Sequence, residues 1–66
     1  MGTDPILAER LPILYRTALD AIDELARGGQ RGEAARLRSV AARAYSRAWN
    51  EGARRALEDV IRRAGG

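Results

Sequence analysis

Apolar residues Leu7, Leu11, Leu14, Ala18, Ala21 and Leu25 follow one another at intervals of four, three, four, three and four, with Tyr15 and Ile22 widening the stripe. An α-helix turns once in 3.6 residues, so this alternation places all of them on one face. Asp4 and Pro5 mark the start: the carboxylate can cap orphan amides, and a proline in the first turn has no donor to waste. Pro12 falls inside the run, so a kink or break is expected near Leu11. Arg27, four residues after Asp23, is a cation in the last turn, and Gly28 stands where a left-handed residue ends a helix. Helix one is therefore predicted over about residues 5–27.

The stretch Gly28-Gly29-Gln30-Arg31-Gly32 reads as a loop over 28–32, with positive-φ glycines. A second helical period follows. Its early apolar face is Ala34, Leu37, Ala41, Ala44 and Ala48, whose small side chains let another helix approach closely, with Tyr45 and Trp49 at the flank. From Trp49 the apolar face moves to Ala53, Ala56, Leu57, Val60, Ile61 and Ala64, so two neighbours are implied. One continuous helix over about 33–63 satisfies this by touching its hairpin mate with one stretch and a second subunit with the other. An interior Gly52 costs it only about 1 kcal/mol. The alternative is a break at Asn50-Glu51-Gly52, which makes a three-helix bundle.

The preferred prediction is an all-α fold, one helical domain over 1–66. It is an antiparallel hairpin with a kinked first helix that dimerises into a four-helix bundle. Its association seam is Leu37, Ala41, Ala44, Ala48, Trp49, Ala56 and Val60. Size argues the same way. A chain of 66 residues buries a small core, and without cysteine no disulfide supplements it, so self-association is the remaining device. With neither cysteine nor histidine there is no conventional zinc, haem or iron-sulfur site. No apolar run approaches the roughly 18 residues that span a bilayer, and no basic, apolar signal opens the chain. A soluble, cytoplasmic protein without a membrane partner is expected.

Charge is distributed unevenly. The net charge is +3, and all twelve basic residues are arginine. Residues 1–27 hold three arginines against five acids, whereas residues 28–66 hold nine against four. In helix two Arg36, Arg43, Arg47 and Arg54 recur at spacings of seven, four and seven, which places them within about 20° of a common line. That line is the candidate contact for an acidic protein partner or for phosphates, against the commoner fate of a solvated face. Further along, Glu51 to Arg55, Glu58 to Arg62 and Asp59 to Arg63 stand in the favourable i,i+4 order and neutralise one another.

Other chemistry is sparse. Asp20, Asp23 and Glu24 form an acidic cluster, but they point away from the apolar stripe and have no histidine beside them, so a solvated acidic face is the expectation. Tyr15, Tyr45 and Trp49 could stack a ligand, although aromatics at helical spacing beside apolar residues usually pack. Thr17, Ser39 and Ser46 have no base to activate them. The chain is read as no enzyme, with no catalytic, cofactor or metal site.

Three stretches resemble known families. Leu14-Tyr15-Arg16 resembles the Leu-Tyr-Arg motif of the mitochondrial assembly-factor family, three-helix proteins that serve iron-sulfur and respiratory-complex assembly; the likeness covers three residues. Residues 25–41, with glycines before Glu33-Ala34 and then Leu37 and Ala41, are similar to the turn of a tetratricopeptide repeat, which implies a helical hairpin. Ala41 to Leu57 resembles a helix-turn-helix reader, without the glycine of its tight turn between Ala44 and Ser46. The function expected from all of this is a homodimeric protein-interaction or oligomerisation module. The alternative is a nucleic-acid-binding module that uses the arginine line.

Overall fold

Helix α1 spans Pro5–Arg27, α2 spans Arg31–Arg47 and α3 spans Glu51–Gly65, and each packs against both others. This computed structural model describes residues 5–47 and 49–65, with side chains from Glu9 onward. Asp4 and Ala48, the expected cap and the middle of the expected seam, lie outside the described residues. No strand occurs among the described residues.

Helix α1 continues through Pro12 without interruption, so no separate lead-in helix precedes it. Proline removes one backbone donor there, and Pro12 itself is exposed while the neighbouring Leu11 is fully buried in the core. The stripe read from the sequence supplies the α1 part of the core, Leu11, Ala18 and Ile22. Helix α2 contributes Ala34, Leu37 and Ala41, and α3 contributes Ala53, Leu57 and Val60. Leu11, Ile22, Leu57 and Val60 are the largest side chains fully withdrawn from water, each stabilising by about 1.5–3 kcal/mol. Extents of 42 × 16 × 14 Å suit three helices lying side by side.

Two cross-helix contacts fix how α2 runs along α1. Tyr15 stacks on Tyr45 with ring centroids 4.3 Å apart, and Arg38 donates to Asp23 at 2.8 Å, so later residues of α2 meet earlier residues of α1. The link between them is shorter than the predicted 28–32 loop. Gln30 N–H donates to the Leu25 carbonyl at 3.2 Å and Gly29 N–H to the Ala26 carbonyl at 3.0 Å, the paired bonds of a Schellman ending. Gly29, with φ 98°, is the left-handed residue, not Gly28. The Gln30 carbonyl then accepts from Ala34 N–H at 2.9 Å, so α2 begins at once and Gly32 lies within it.

The predicted continuous helix two is interrupted between Arg47 and Glu51, and the three-helix alternative describes the chain. Both broken ends are satisfied locally. The Trp49 indole Nε1 donates to the Tyr45 carbonyl at 2.9 Å, occupying an orphan acceptor at the end of α2. Asn50 Oδ1 accepts from Ala53 N–H at 3.0 Å, and the Asn50 carbonyl accepts from Arg54 N–H at 3.1 Å, which makes Asn50 the N-cap of α3. The shifted apolar face from Ala53 onward belongs to α3, and it packs on α1 and α2 of the same chain.

Two substitutions test these ends. Gly29→Val should destabilise by on the order of 1 kcal/mol or more, because a β-branched residue is strained at positive φ. Gly28→Ala should be neutral or stabilising, since its added methyl meets only the Leu25 and Glu24 carbonyl oxygens, at 3.5 and 3.6 Å. Equal denaturant midpoints for the two variants would move the helix end elsewhere. Asn50→Ala should cost about 1 kcal/mol through the lost cap, read as a lower midpoint with an unchanged denaturant slope.

Candidate anion-binding face

Helix α2 carries Arg31, Arg36, Arg38, Arg43 and Arg47 against the single acid Glu33. Its buried residues, Ala34, Leu37 and Ala41, point to the core, so the helical period turns Arg36, Arg43 and Arg47 to the solvent side, and all three are exposed. They spread over roughly 16 Å of helix at 1.5 Å per residue. None of the three forms an ion pair among the described residues. No carboxylate stands one turn from Arg43, whose flanking positions are Ser39, Val40, Ser46 and Arg47, and α2 ends at Arg47 before Glu51 opens α3.

Arg54 does not extend this row. The interruption at Asn50 carries it onto α3, where it is held by Glu51 at 2.6 Å and Glu58 at 2.9 Å. Its guanidinium is stabilised by the hydrogen bond to Glu51, then by the charges of Glu51 and Glu58, which push its pKa further up. A four-arginine line thus becomes three exposed cations and one neutralised one. The other pairings also differ in detail from the predicted i,i+4 set. Arg27 meets Glu24 at 2.6 Å, while Asp23 reaches across to Arg38 on α2. Arg62 meets Asp59 at 2.7 Å, and Arg63 meets the same carboxylate at 2.9 Å, the one predicted pair that forms as written.

The acidic cluster is consequently committed in two of its three members. Asp23 holds Arg38 and Glu24 holds Arg27, which leaves Asp20 exposed without an ion pair among the described residues. Tyr15, Tyr45 and Trp49 meet as a half-buried packing cluster, with Tyr45 and Trp49 centroids 5.3 Å apart and tilted by 32°. The expected association seam is divided. Leu37, Ala41 and Val60 are buried within the chain's own core, whereas Ala44, Trp49 and Ala56 are half-buried at its margin.

Sequence reasoning missed two exposed apolar residues, Val40 and Ile13, which are 41% and 66% exposed. Val40 had a signal: it stands four residues after Arg36 and three before Arg43, an apolar residue beside the polar line of the same helix. Ile13 falls outside the four-three stripe of helix one and had the same signal.

No helix among the described residues is long and apolar enough to cross a membrane. Comparison with known proteins returns nothing: no family model, no curated protein and no solved structure matches the chain. The short resemblances around Leu14-Tyr15-Arg16, residues 25–41 and Ala41 to Leu57 therefore rest on those residues alone.

One titration checks the electrostatics. The Asp59 carboxyl is held below its ordinary pKa, chiefly by the hydrogen bond from Arg62, with partial burial opposing and the charge of Arg63 assisting. A depressed carboxylate pKa contributes stability above the unfolded value that is lost as pH falls through the folded one. Arg62→Gln should move the Asp59 midpoint upward in an NMR titration; an unmoved midpoint would leave Arg63 as the controlling partner.

Proposed function

We propose that this chain is a small helical protein-interaction module whose contact surface is the outer face of α2, directed at an acidic partner. One observation carries the reading: of the seven arginines without an ion pair among the described residues, Arg36, Arg43 and Arg47 form an exposed row along one helix face, whereas Arg10, Arg16, Arg31 and Arg55 are spread over three helices and Arg27, Arg38, Arg54, Arg62 and Arg63 each hold a carboxylate. A row of unneutralised guanidiniums creates a local positive potential that speeds encounter with a negative surface and rejects a positive one.

Homodimerisation is the narrower form of the same reading. With Leu37, Ala41 and Val60 inside the chain, a dimer uses outer surfaces rather than the seam first expected, and on α1 only Glu9 and Asp20 keep carboxylates outside ion pairs among the described residues to face the basic α2. Nucleic-acid binding is the second reading, favoured by the same row. The departure of Arg54 weakens it: three phosphate contacts give a log–log salt slope of only about −3, shallower than duplex readers with six or more.

Titration with polyglutamate near physiological salt tests the reading. The parent should bind, and the triple variant Arg36→Glu, Arg43→Glu, Arg47→Glu should not, while its unfolding midpoint stays within about 0.5 kcal/mol of the parent because these positions are exposed. Tight, salt-sensitive binding to duplex DNA, with none to polyglutamate, would replace this proposal by the second reading. Sedimentation of a folded monomer at high micromolar concentration would remove the homodimer.

A further inference from the structure

The arginine row is bordered by apolar surface on one side. Val40 is exposed between Arg36 and Arg43 and stands one turn before the half-buried Ala44. Where α2 ends and α3 begins, a shallow hollow of about 390 Å³ is lined by Ala44, Arg47, Asn50, Gly52, Ala53 and Ala56. Val40, Ala44 and this hollow form a strip alongside Arg36, Arg43 and Arg47, with Arg47 belonging to both.

A polyanion uses the cations and leaves Val40 in water. An acidic amphipathic helix uses both: its apolar ridge covers the strip, and carboxylates beside that ridge reach the guanidiniums, whose planar forks take a carboxylate through two hydrogen bonds. Small side chains in the hollow allow an interaxial approach near the short end of the usual 8–10 Å. Charge selects the occupant. Helix α2 sets five arginines against one glutamate, so the partner face must be negative. A second copy matches poorly, since Asp23 and Glu24 of its α1 already hold Arg38 and Arg27.

We infer that the Val40–Ala44 strip and the hollow beyond it dock an acidic amphipathic helix of a partner protein, with Arg36, Arg43 and Arg47 taking its carboxylates. This rests on the proposal that the outer face of α2 meets an acidic protein. The test must therefore separate charge contact from helix docking.

The probe is a labelled peptide of roughly 18 residues, five helical turns, with leucines along one face and glutamates beside them. A shuffled peptide of the same composition and polyglutamate serve as controls. Fluorescence anisotropy with the full chain should show the amphipathic peptide binding about tenfold tighter than the shuffled one. Val40→Ser should reduce it to the shuffled level, and Arg43→Glu with Arg47→Glu should eliminate both. Circular dichroism and thermal melting of each variant confirm that these exposed changes leave the fold intact.

Equal affinity for amphipathic and shuffled peptides, insensitive to Val40→Ser, would overturn helix docking and leave the acidic-contact reading standing. Failure of every acidic probe would overturn both. Duplex DNA binding tighter than any peptide would overturn both in favour of phosphate contact. A dimer that dissociates on Val40→Ser would make a second copy the occupant and overturn the inference.

Discussion

The turn between α2 and α3, with Trp49 and Asn50 in it, decides most of this structure. Continuing the helix through Trp49 and Asn50 would keep a few backbone hydrogen bonds, each worth about 0.5–1.5 kcal/mol net. Turning there brings Leu57 and Val60 to full burial beside Leu11 and Ile22, at about 1.5–3 kcal/mol for each side chain. The lost helical bonds are also partly replaced, because the Trp49 indole serves the Tyr45 carbonyl and the Asn50 side chain serves the Ala53 amide. Burial exceeds the interrupted ladder, and the chain closes its core on itself.

That closure redistributes charge as well as apolar surface. Arg54 leaves the α2 row and is enclosed by Glu51 and Glu58, while Leu37, Ala41 and Val60 are withdrawn from any partner. Among the described residues the outside retains a basic face on α2 and two exposed large apolar side chains, Val40 on α2 and Ile13 on α1. One local turn thus determines which residues are core and which are surface. It is also why a surface reading rests on α2 alone.

The helical class and most of the core were legible because apolar spacing reports burial directly. Leu11, Ala18 and Ile22 are in the core, and so are Leu37, Ala41, Leu57 and Val60. The choice between one long helix and two was not legible, because a shifted apolar face is satisfied equally by a second subunit and by a chain that turns back. Asn50 followed by Glu51 was a usable capping signal, but a single cap contributes only about 1 kcal/mol and periodicity outweighed it. At the first link, two adjacent glycines can each take the left-handed position, and only the observed bonds to Ala26 and Leu25 assign it to Gly29. Val40 escaped notice because pattern reading counts apolar residues toward the core, and this one faces water.

The arrangement of α2 is not the one stability alone favours. Arg43 and Arg47 are one turn apart, and a like-charged i,i+4 pair costs roughly 0.2–0.5 kcal/mol where an opposite pair would stabilise by the same amount. Helix α3 shows the stabilising arrangement, with Glu51, Glu58 and Asp59 interleaved among its arginines and all three engaged. A glutamate at the exposed Ser39 would give Arg43 the same support in the favourable order at no cost to the core. Helix α2 thus forgoes a few tenths of a kcal/mol that its neighbour takes, and the sacrifice is confined to the face where Val40 is also exposed. Two departures from the most stable choice, one in charge and one in hydrophobicity, therefore coincide on α2, whereas the other exposed large apolar side chain among the described residues, Ile13, lies on α1.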